Sequence, residues 1–238
     1  MSLAQPGVGI VLVGGKGTRL GQLTGGVPKP LFEVRGRPFL HWVLSSLESA
    51  GISQFVLAAG YQAEAMRRFA SDRANVSVVV EPSALGTAGA LRLAAEATGE
   101  ADPLLVANGD SLVAAPLGHI WEALDSQSAA VMVAVPMSGE ARYGRIVLRD
   151  GFLSRMDERS ARNGPINAGI YALRRDLVMT IPSKRALSLE TDVLPKWLAG
   201  GVRVRVLTVD APFIDIGVPS SLALADSFVD RFMPRISG

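Results

Sequence analysis

Lys16, Arg19 and Lys29 crowd one short stretch of a chain that holds 4 Lys in all, against 20 Arg. The stretch is GGKGTRLGQLTGGVPKPL, Gly14 to Leu31, and it follows the β-branched run VGIVLV, Val8 to Val13. Backbone N–H groups of a glycine loop after a buried strand can approach an anion closely. Gly14, Gly15 and Gly17, with Thr18, supply such a loop. Lys29 stands between Pro28 and Pro30, on a backbone that both prolines stiffen. Arg19 as a planar fork and Lys29 as a point charge can converge on one polyphosphate. On the glycines alone, a flexible turn explains the loop as well as a phosphate cradle does.

Carboxylates supply the second kind of chemistry. Asp110 closes LLVANGD, at the end of an apolar run where a parallel sheet opens to ligands. Asp215 lies among Phe213, Ile214 and Ile216, where an unpaired acid is costly to bury. Two carboxylates facing one phosphate site can hold Mg²⁺, a hard ion that takes carboxylate and phosphate oxygens. A turn at Asn108-Gly109-Asp110, and a salt bridge or helix cap at Asp215, stay open as structural alternatives. Glu81 ends another apolar run, and Gly86, Thr87 and Gly89 follow at a helix start. A carboxylate only accepts hydrogen bonds, so Glu81 suits N1–H and N2–H₂ of guanine, or N3–H of uracil. It is equally an edge charge before Pro82. Asn167 can donate to and accept from sugar hydroxyls, and Gly144 and Gly169 leave room for a sugar ring. Gly144 also reads simply as the start of a hairpin.

Several chemistries are excluded. The 238 residues include no Cys, which removes disulfides, thiolate zinc sites, iron–sulfur clusters and Cys nucleophiles. His41 and His119 have no partner at metal-ligand spacing, and no G-x-S-x-G elbow is present. His41, Trp42 and Trp121 read as packing or surface residues. Tyr61 follows a strand-end glycine and carries no assigned role. The dinucleotide motif G-x-G-x-x-G would need Gly at the position of Leu20, and Walker A fails because Gly17 follows Lys16. A net charge of +2 gives no argument for nucleic acid. With no apolar run near the ~18 to 20 residues of a membrane span and no leader-like N-terminus, a cytoplasmic location is expected.

The elements that must position these residues alternate. Strands are expected at Val8 to Val13, Gln54 to Ala59, Val76 to Val80 and Pro103 to Ala107. Helices fall between them: one opened by Pro38 as a first-turn residue, one near Gln62 to Phe69, and one over Thr87 to Ala97. The β-α-β-α order predicts an α/β fold, a doubly wound, mostly parallel Rossmann-like sheet with helices on both faces. The later chain adds antiparallel pieces and a small substrate lobe: a strand at Ala129 to Pro136, a hairpin across Asp150-Gly151, and strands at Ile166 to Leu173, Val202 to Val206 and Phe213 to Ile216. Helices are expected at Leu189 to Leu198, interrupted by Pro195, and at Ser220 to Phe232. One domain is expected over 1–238, a nucleotide-binding half 1–111 and a sugar-phosphate half 112–238.

Gly14-Gly15-Lys16-Gly17-Thr18-Arg19-Leu20 followed by Pro28-Lys29-Pro30-Leu31 resembles the signature of the sugar-1-phosphate nucleotidyltransferases, or nucleoside-diphosphate-sugar pyrophosphorylases. The resemblance runs on through EPSALGTAGAL (Glu81 to Leu91), NGD (Asn108 to Asp110), RYG (Arg142 to Gly144), INAGIY (Ile166 to Tyr171) and FIDIG (Phe213 to Gly217). It implies that Asp110 and Asp215 are the Mg²⁺ ligands. It implies that Glu81, Gly86 and Thr87, with the backbone near Leu12 and Gly14 and with Asn108, form the nucleotide site. Glu158-Arg159 stands where many relatives carry Glu-Lys; Arg keeps the charge near the sugar phosphate but changes its geometry. Glu190 and Asp192 match an acidic pair of the family, and a helix-start role suits them as well.

The implied reaction is attack of a sugar 1-phosphate oxygen on the α-phosphorus of a nucleoside triphosphate, with loss of pyrophosphate. Lys16 and Arg19 would neutralise the pyrophosphate, and Lys29 would bridge the two reacting phosphates. GRPFL, RYG, INAGIY and FIDIGVP together resemble the guanylyltransferases of D-glycero-D-manno-heptose 1-phosphate, which implies GTP as substrate and a product for cell-surface polysaccharide. Mannose 1-phosphate guanylyltransfer, uridylyltransfer to N-acetylmuramate or glucose 1-phosphate, and a catalytically silent nucleotide-sugar-binding regulator stand as alternatives. The expected partners are the two substrates, with neither nucleic acid nor membrane, and a homodimer is left open.

Overall fold

Val8–Leu12 forms the strand (β1) around which the remainder is laid. The computed structural model describes residues 7–15, 26–139, 145–157 and 163–233. After β1 come β2 (Glu33–Val34), β3 (Arg37–Pro38), α1 (Phe39–Glu48), β4 (Gln54–Ala59), α2 (Ala63–Ala70), β5 (Val76–Val80) and α3 (Gly86–Glu96). Next are β6 (Leu104–Asn108), β7 (Ser111–Val113), α4 (Ile120–Ala123), β8 (Ala130–Ser138), β9 (Arg145–Arg149), β10 (Phe152–Asp157) and β11 (Asn163–Leu173). The chain closes with α5 (Arg175–Met179), α6 (Leu194–Ala199), β12 (Val204–Thr208), β13 (Phe213–Asp215), α7 (Pro219–Leu222) and α8 (Ala225–Phe232).

Among the described residues, nine strands form one sheet in the order β5-β4-β1-β6-β11-β8-β12-β10-β9. The first four are mutually parallel. β11 joins them antiparallel to β6, and β8 follows antiparallel to β11. This is the expected α/β architecture, with the antiparallel strands extending the same sheet. The chain leaves β1 to lay β4 and β5 on one side, then returns to lay β6 on the other. Ligands of such sheets bind where the order reverses, at the carboxyl ends of β1 and β6.

Burial explains why the strands read as unbroken apolar runs. Val11, Leu57, Leu105 and Val133 enter a core that also holds Phe39 and Leu40 of α1, Met66 of α2 and Phe228 of α8. Their chain neighbours Ile10, Val56, Val106 and Met132 enter a second core with Leu91 of α3, Val178 of α5 and Leu194 of α6. A strand covered on both faces needs apolar residues at every position.

Four expectations shift. Pro38 sits one residue before α1 with extended backbone, φ −54° and ψ 140°, instead of in the first turn. The Leu189 to Leu198 helix is divided: a wide turn over Leu189–Val193 precedes α6, whose first turn tolerates Pro195 because no N–H is needed there. The closing helix breaks into α7 and α8 where the Leu224 N–H turns back to the Ser221 carbonyl at 3.1 Å. The paired strands β7 and β13 include Ser111–Val113, which carries no strand signal of its own. The hairpin at Asp150-Gly151 forms as expected, with φ of 52° and 79°, the two positive values that a type I′ turn requires.

Candidate active site

At the switch point the ends of β1 and β6 are tied together. The Gly109 N–H donates to the Leu12 carbonyl at 3.0 Å, and the Val13 N–H to that of Ala58 at 2.9 Å. A cavity of about 670 Å³ opens there. Leu12, Gly14 and Gly15 line it from β1, and Asn108 and Asp110 from β6. Glu81, Gly86 and Thr87 line it from the segment between β5 and α3, and Lys29 from the loop after β1. Residues widely spaced in sequence therefore face one space.

Glu81 is held by its backbone and by its carboxylate. Its N–H donates to the Ala59 carbonyl at 2.8 Å, and its Oε2 accepts the Leu85 N–H at 2.8 Å. Its Oε1 lies so close over Gly14 that any side chain at Gly14 would collide with it. Burial pushes the Glu81 carboxyl above its usual value, with the Leu85 N–H pulling the other way.

Lys29 opens a single 3₁₀ turn, Lys29–Leu31, after Pro28 in extended backbone. Its Nζ lies 3.5 Å from Asp110 Oδ2, with the lysine side chain 16% and the aspartate 34% exposed. Asp215 reaches this corner through β13, which pairs with β7 so that Asp215 stands opposite Ser111. The Ile216 N–H donates to the Asp110 carbonyl at 3.0 Å. Asp215 Oδ1 accepts the Gly217 N–H. Two acids remote in sequence thus start from neighbouring backbone positions. Among the described residues, no cluster of three or more His, Asp or Glu forms a metal cage. A pair of carboxylates fits a hard ion that completes its shell with water and substrate phosphates.

Asn167, Gly169 and Glu190 belong to a partly buried network beside the cavity. β11 carries extra residues against β8 between Asn167 and Tyr171, a bulge. Gly169 sits in it at φ 74°, and a side chain there would meet Asn108 Nδ2 at 2.5 Å. Asn167 Oδ1 accepts the Gly169 N–H at 2.9 Å, and its Nδ2 donates to the Tyr171 hydroxyl. Tyr171 donates to Glu190 Oε1 at 3.2 Å, and Thr87 donates to Glu190 Oε2 at 3.0 Å. Burial first, and the Glu190 charge second, push the Tyr171 hydroxyl well above its usual value, so it remains a donor. Thr87 also accepts the Leu189 N–H at 2.7 Å, so its hydroxyl is engaged with the wall behind the cavity. Asp192 accepts the Ser188 N–H at 2.7 Å, which is the helix-start role.

Lys16, Gly17, Thr18, Arg19, Gly144, Glu158 and Arg159 lie outside the described residues. His41 Nε2 accepts from the Arg37 guanidinium at 2.6 Å and packs edge-on to Trp42, and Trp121 donates to the Ala50 carbonyl at 2.7 Å. None of these three aromatic side chains lines the cavity. Sequence reasoning left Tyr61, Ser83 and Ala84 without a role, yet all three line it. The signal for Tyr61 was its place directly after a strand-end glycine.

A family model described as "Nucleotidyl transferase" matches residues 8–231. The D-glycero-alpha-D-manno-heptose 1-phosphate guanylyltransferase of Aneurinibacillus thermoaerophilus is 30% identical, over 94% of this chain and 99% of that protein. The mannose-1-phosphate guanylyltransferase of Mycobacterium tuberculosis is 33% identical over 88% of this chain, which spans 61% of that longer protein. The crystal structure of HddC from Yersinia pseudotuberculosis complexed with GMP-PN is similar with a TM-score of 0.82 and 28% identity, over 92% of this chain and 98% of that one. Among the described residues no helix is long and apolar enough to cross a membrane.

Proposed function

The chain belongs to the nucleotidyl transferase family, and on that premise we propose that it transfers a guanylyl group from GTP to a sugar 1-phosphate. The acceptor in this proposal is D-glycero-α-D-manno-heptose 1-phosphate, and the products are GDP-heptose and pyrophosphate, made in the cytoplasm for cell-surface polysaccharide. The observation that carries the reading is one cavity with a half-buried carboxylate, Glu81, in its wall and a Lys29–Asp110 ion pair in the same wall. The first suits the donor edge of guanine; the second suits phosphates.

In the reaction a sugar phosphate oxygen forms a bond to the α-phosphorus as the α–β phosphoanhydride bond breaks. The electron pair leaves with pyrophosphate. No proton has to be removed, because the attacking oxygen is already anionic at neutral pH. The protein's task is to position the groups and neutralise charge. Lys29 moves its ammonium from Asp110 toward the reacting phosphates, and Arg19 and Lys16 are assigned to the departing pyrophosphate. Asp110 and Asp215 would hold Mg²⁺, which when bound supplies positive charge between the two phosphates. Glu81 accepts from the base, Leu12 and Gly14 flank it, and Asn167 and Gly169 form the sugar side with Gly144, Glu158, Arg159 and Glu190.

The heptose acceptor is favoured by a relative matched over 94% of this chain and 99% of its own length. Mannose 1-phosphate is the second reading, favoured by several mannose-1-phosphate guanylyltransferases at 30–34% identity. Pyrophosphate release should be measured for GTP and UTP against heptose, mannose, glucose and N-acetylmuramate 1-phosphates. Turnover is expected with GTP and heptose 1-phosphate above every other pair. Tight product binding with no turnover would instead mark a silent regulator.

A further inference from the structure

We propose that Tyr61 is the platform on which the nucleobase stacks, a specificity-determining residue that favours a purine through its face while Glu81 reads its edge. The inference rests on the nucleotide site proposed above. Tyr61 follows Gly60 at the carboxyl end of β4, and its N–H donates to the Gly14 carbonyl at 3.3 Å. Gly14 is the residue over which Glu81 Oε1 lies, and a side chain at Gly60 would meet the same oxygen at 3.0 Å. The backbone of Tyr61 therefore adjoins Gly14 and Gly60, the two glycines against which the Glu81 carboxylate packs.

Tyr61 lines the cavity, and the residue is 46% exposed. Among the described residues the other large apolar side chains with that degree of exposure, such as Leu224 and Met179, do not line it. An open aromatic face in a ligand cavity has a use if a second flat group covers it. The ring is also held. Gln62 Nε2 donates to the Tyr61 hydroxyl at 3.2 Å and to the Gly26 carbonyl at 2.6 Å. Gln62 adopts φ 55°, a left-handed conformation that a non-glycine residue keeps only when its surroundings hold it there. Tyr61 is thus tied through its backbone and its hydroxyl while the residue stays about half exposed in the cavity. Phosphates call for cations, and a sugar calls for paired donors and acceptors; an open ring beside a carboxylate suits a base. A purine offers a larger face than a pyrimidine, so stacking adds to the preference for GTP.

The test is calorimetric titration of the full chain with GTP, with UTP and with inorganic tripolyphosphate, each in the presence of Mg²⁺. Tyr61→Ala is expected to weaken GTP about tenfold, the scale of one base–aromatic stack, to weaken UTP less, and to leave tripolyphosphate unchanged. In turnover the loss should fall on KM for GTP and spare kcat. Tyr61→Phe keeps the ring and loses only the bond from Gln62, so it should weaken GTP less than Tyr61→Ala does. Tyr61→Ala that binds GTP unchanged, or that loses GTP and tripolyphosphate alike, would overturn the stacking role. Glu81→Gln separates the two failures: if it alters the GTP-to-UTP ratio while Tyr61→Ala does not, the site stands and the platform falls. If the wild type takes up no nucleotide, both fall.

Discussion

Glu81 and Asp110 are carboxylates in the wall of one cavity, and they keep opposite company. Glu81 is pinned by an N–H from Leu85 and packed over Gly14 and Gly60, and burial pushes its carboxyl upward. Asp110 has the Lys29 ammonium at 3.5 Å and Asp215 on the adjoining strand. A carboxylate with no cation beside it among the described residues is suited to neutral N–H donors; one already paired with a cation is suited to exchange it for another. The contrast teaches that surroundings, not side-chain type, set what each carboxylate is suited to meet, and the proposed division into a base-reading part and a phosphate-handling part rests on it.

The contrast breaks most visibly at Lys29. Lys29→Ala should lower kcat by about a hundredfold or more, the scale for losing one charge stabiliser in a phosphoryl or acyl site, with pyrophosphate release as the readout. A variant that turns over normally would take Lys29 out of the reaction. Glu81→Gln should act on choice instead of rate. The ratio of kcat/KM for GTP to that for UTP should fall about tenfold, as expected for removing a charge-assisted hydrogen bond, while kcat changes less. An unchanged ratio would dissociate Glu81 from the base.

A smaller effect comes from pH. Only the ionised Glu81 accepts two donors, so kcat/KM for GTP should rise with pH as Glu81 loses its proton. Because burial raises that carboxyl, the rise should be centred above the ordinary glutamate value of 4.5. It should vanish in Glu81→Gln. The sign for stability is opposite: a raised folded pKa gives a contribution present below the unfolded value and lost as pH rises through the folded one. Urea unfolding of the ligand-free protein between pH 4 and pH 7 should therefore differ between wild type and Glu81→Gln in that direction.

Much of the parallel half was legible because burial on both faces leaves a plain imprint, as in Val8 to Val13 and LLVA before Asn108. The hairpin at Asp150-Gly151 was legible because its turn demands particular residues. The sites that positioned chemistry were less so. β7 has three residues, and its strand character comes from β13, a partner far along the chain. That pairing brings Asp215 to Asp110, so the proximity of the two acids could be expected only from the family resemblance. The β11 bulge is likewise set by β6 and β8 on either side, and INAGIY read simply as a strand. Thr87, Tyr171 and Glu190 meet through folding alone, so the bonds of the Thr87 hydroxyl to Glu190 and to the Leu189 N–H were not legible in the sequence.

The central claim is that Asp110 and Asp215 together hold a divalent cation against the nucleotide's phosphates. Mn²⁺, which shares the oxygen preference of Mg²⁺, can be titrated into the protein with GTP and followed by electron paramagnetic resonance. The account predicts one tight Mn²⁺ site that Asp110→Asn and Asp215→Asn each weaken by about tenfold or more. Both variants retaining wild-type Mn²⁺ affinity in the presence of GTP would contradict it.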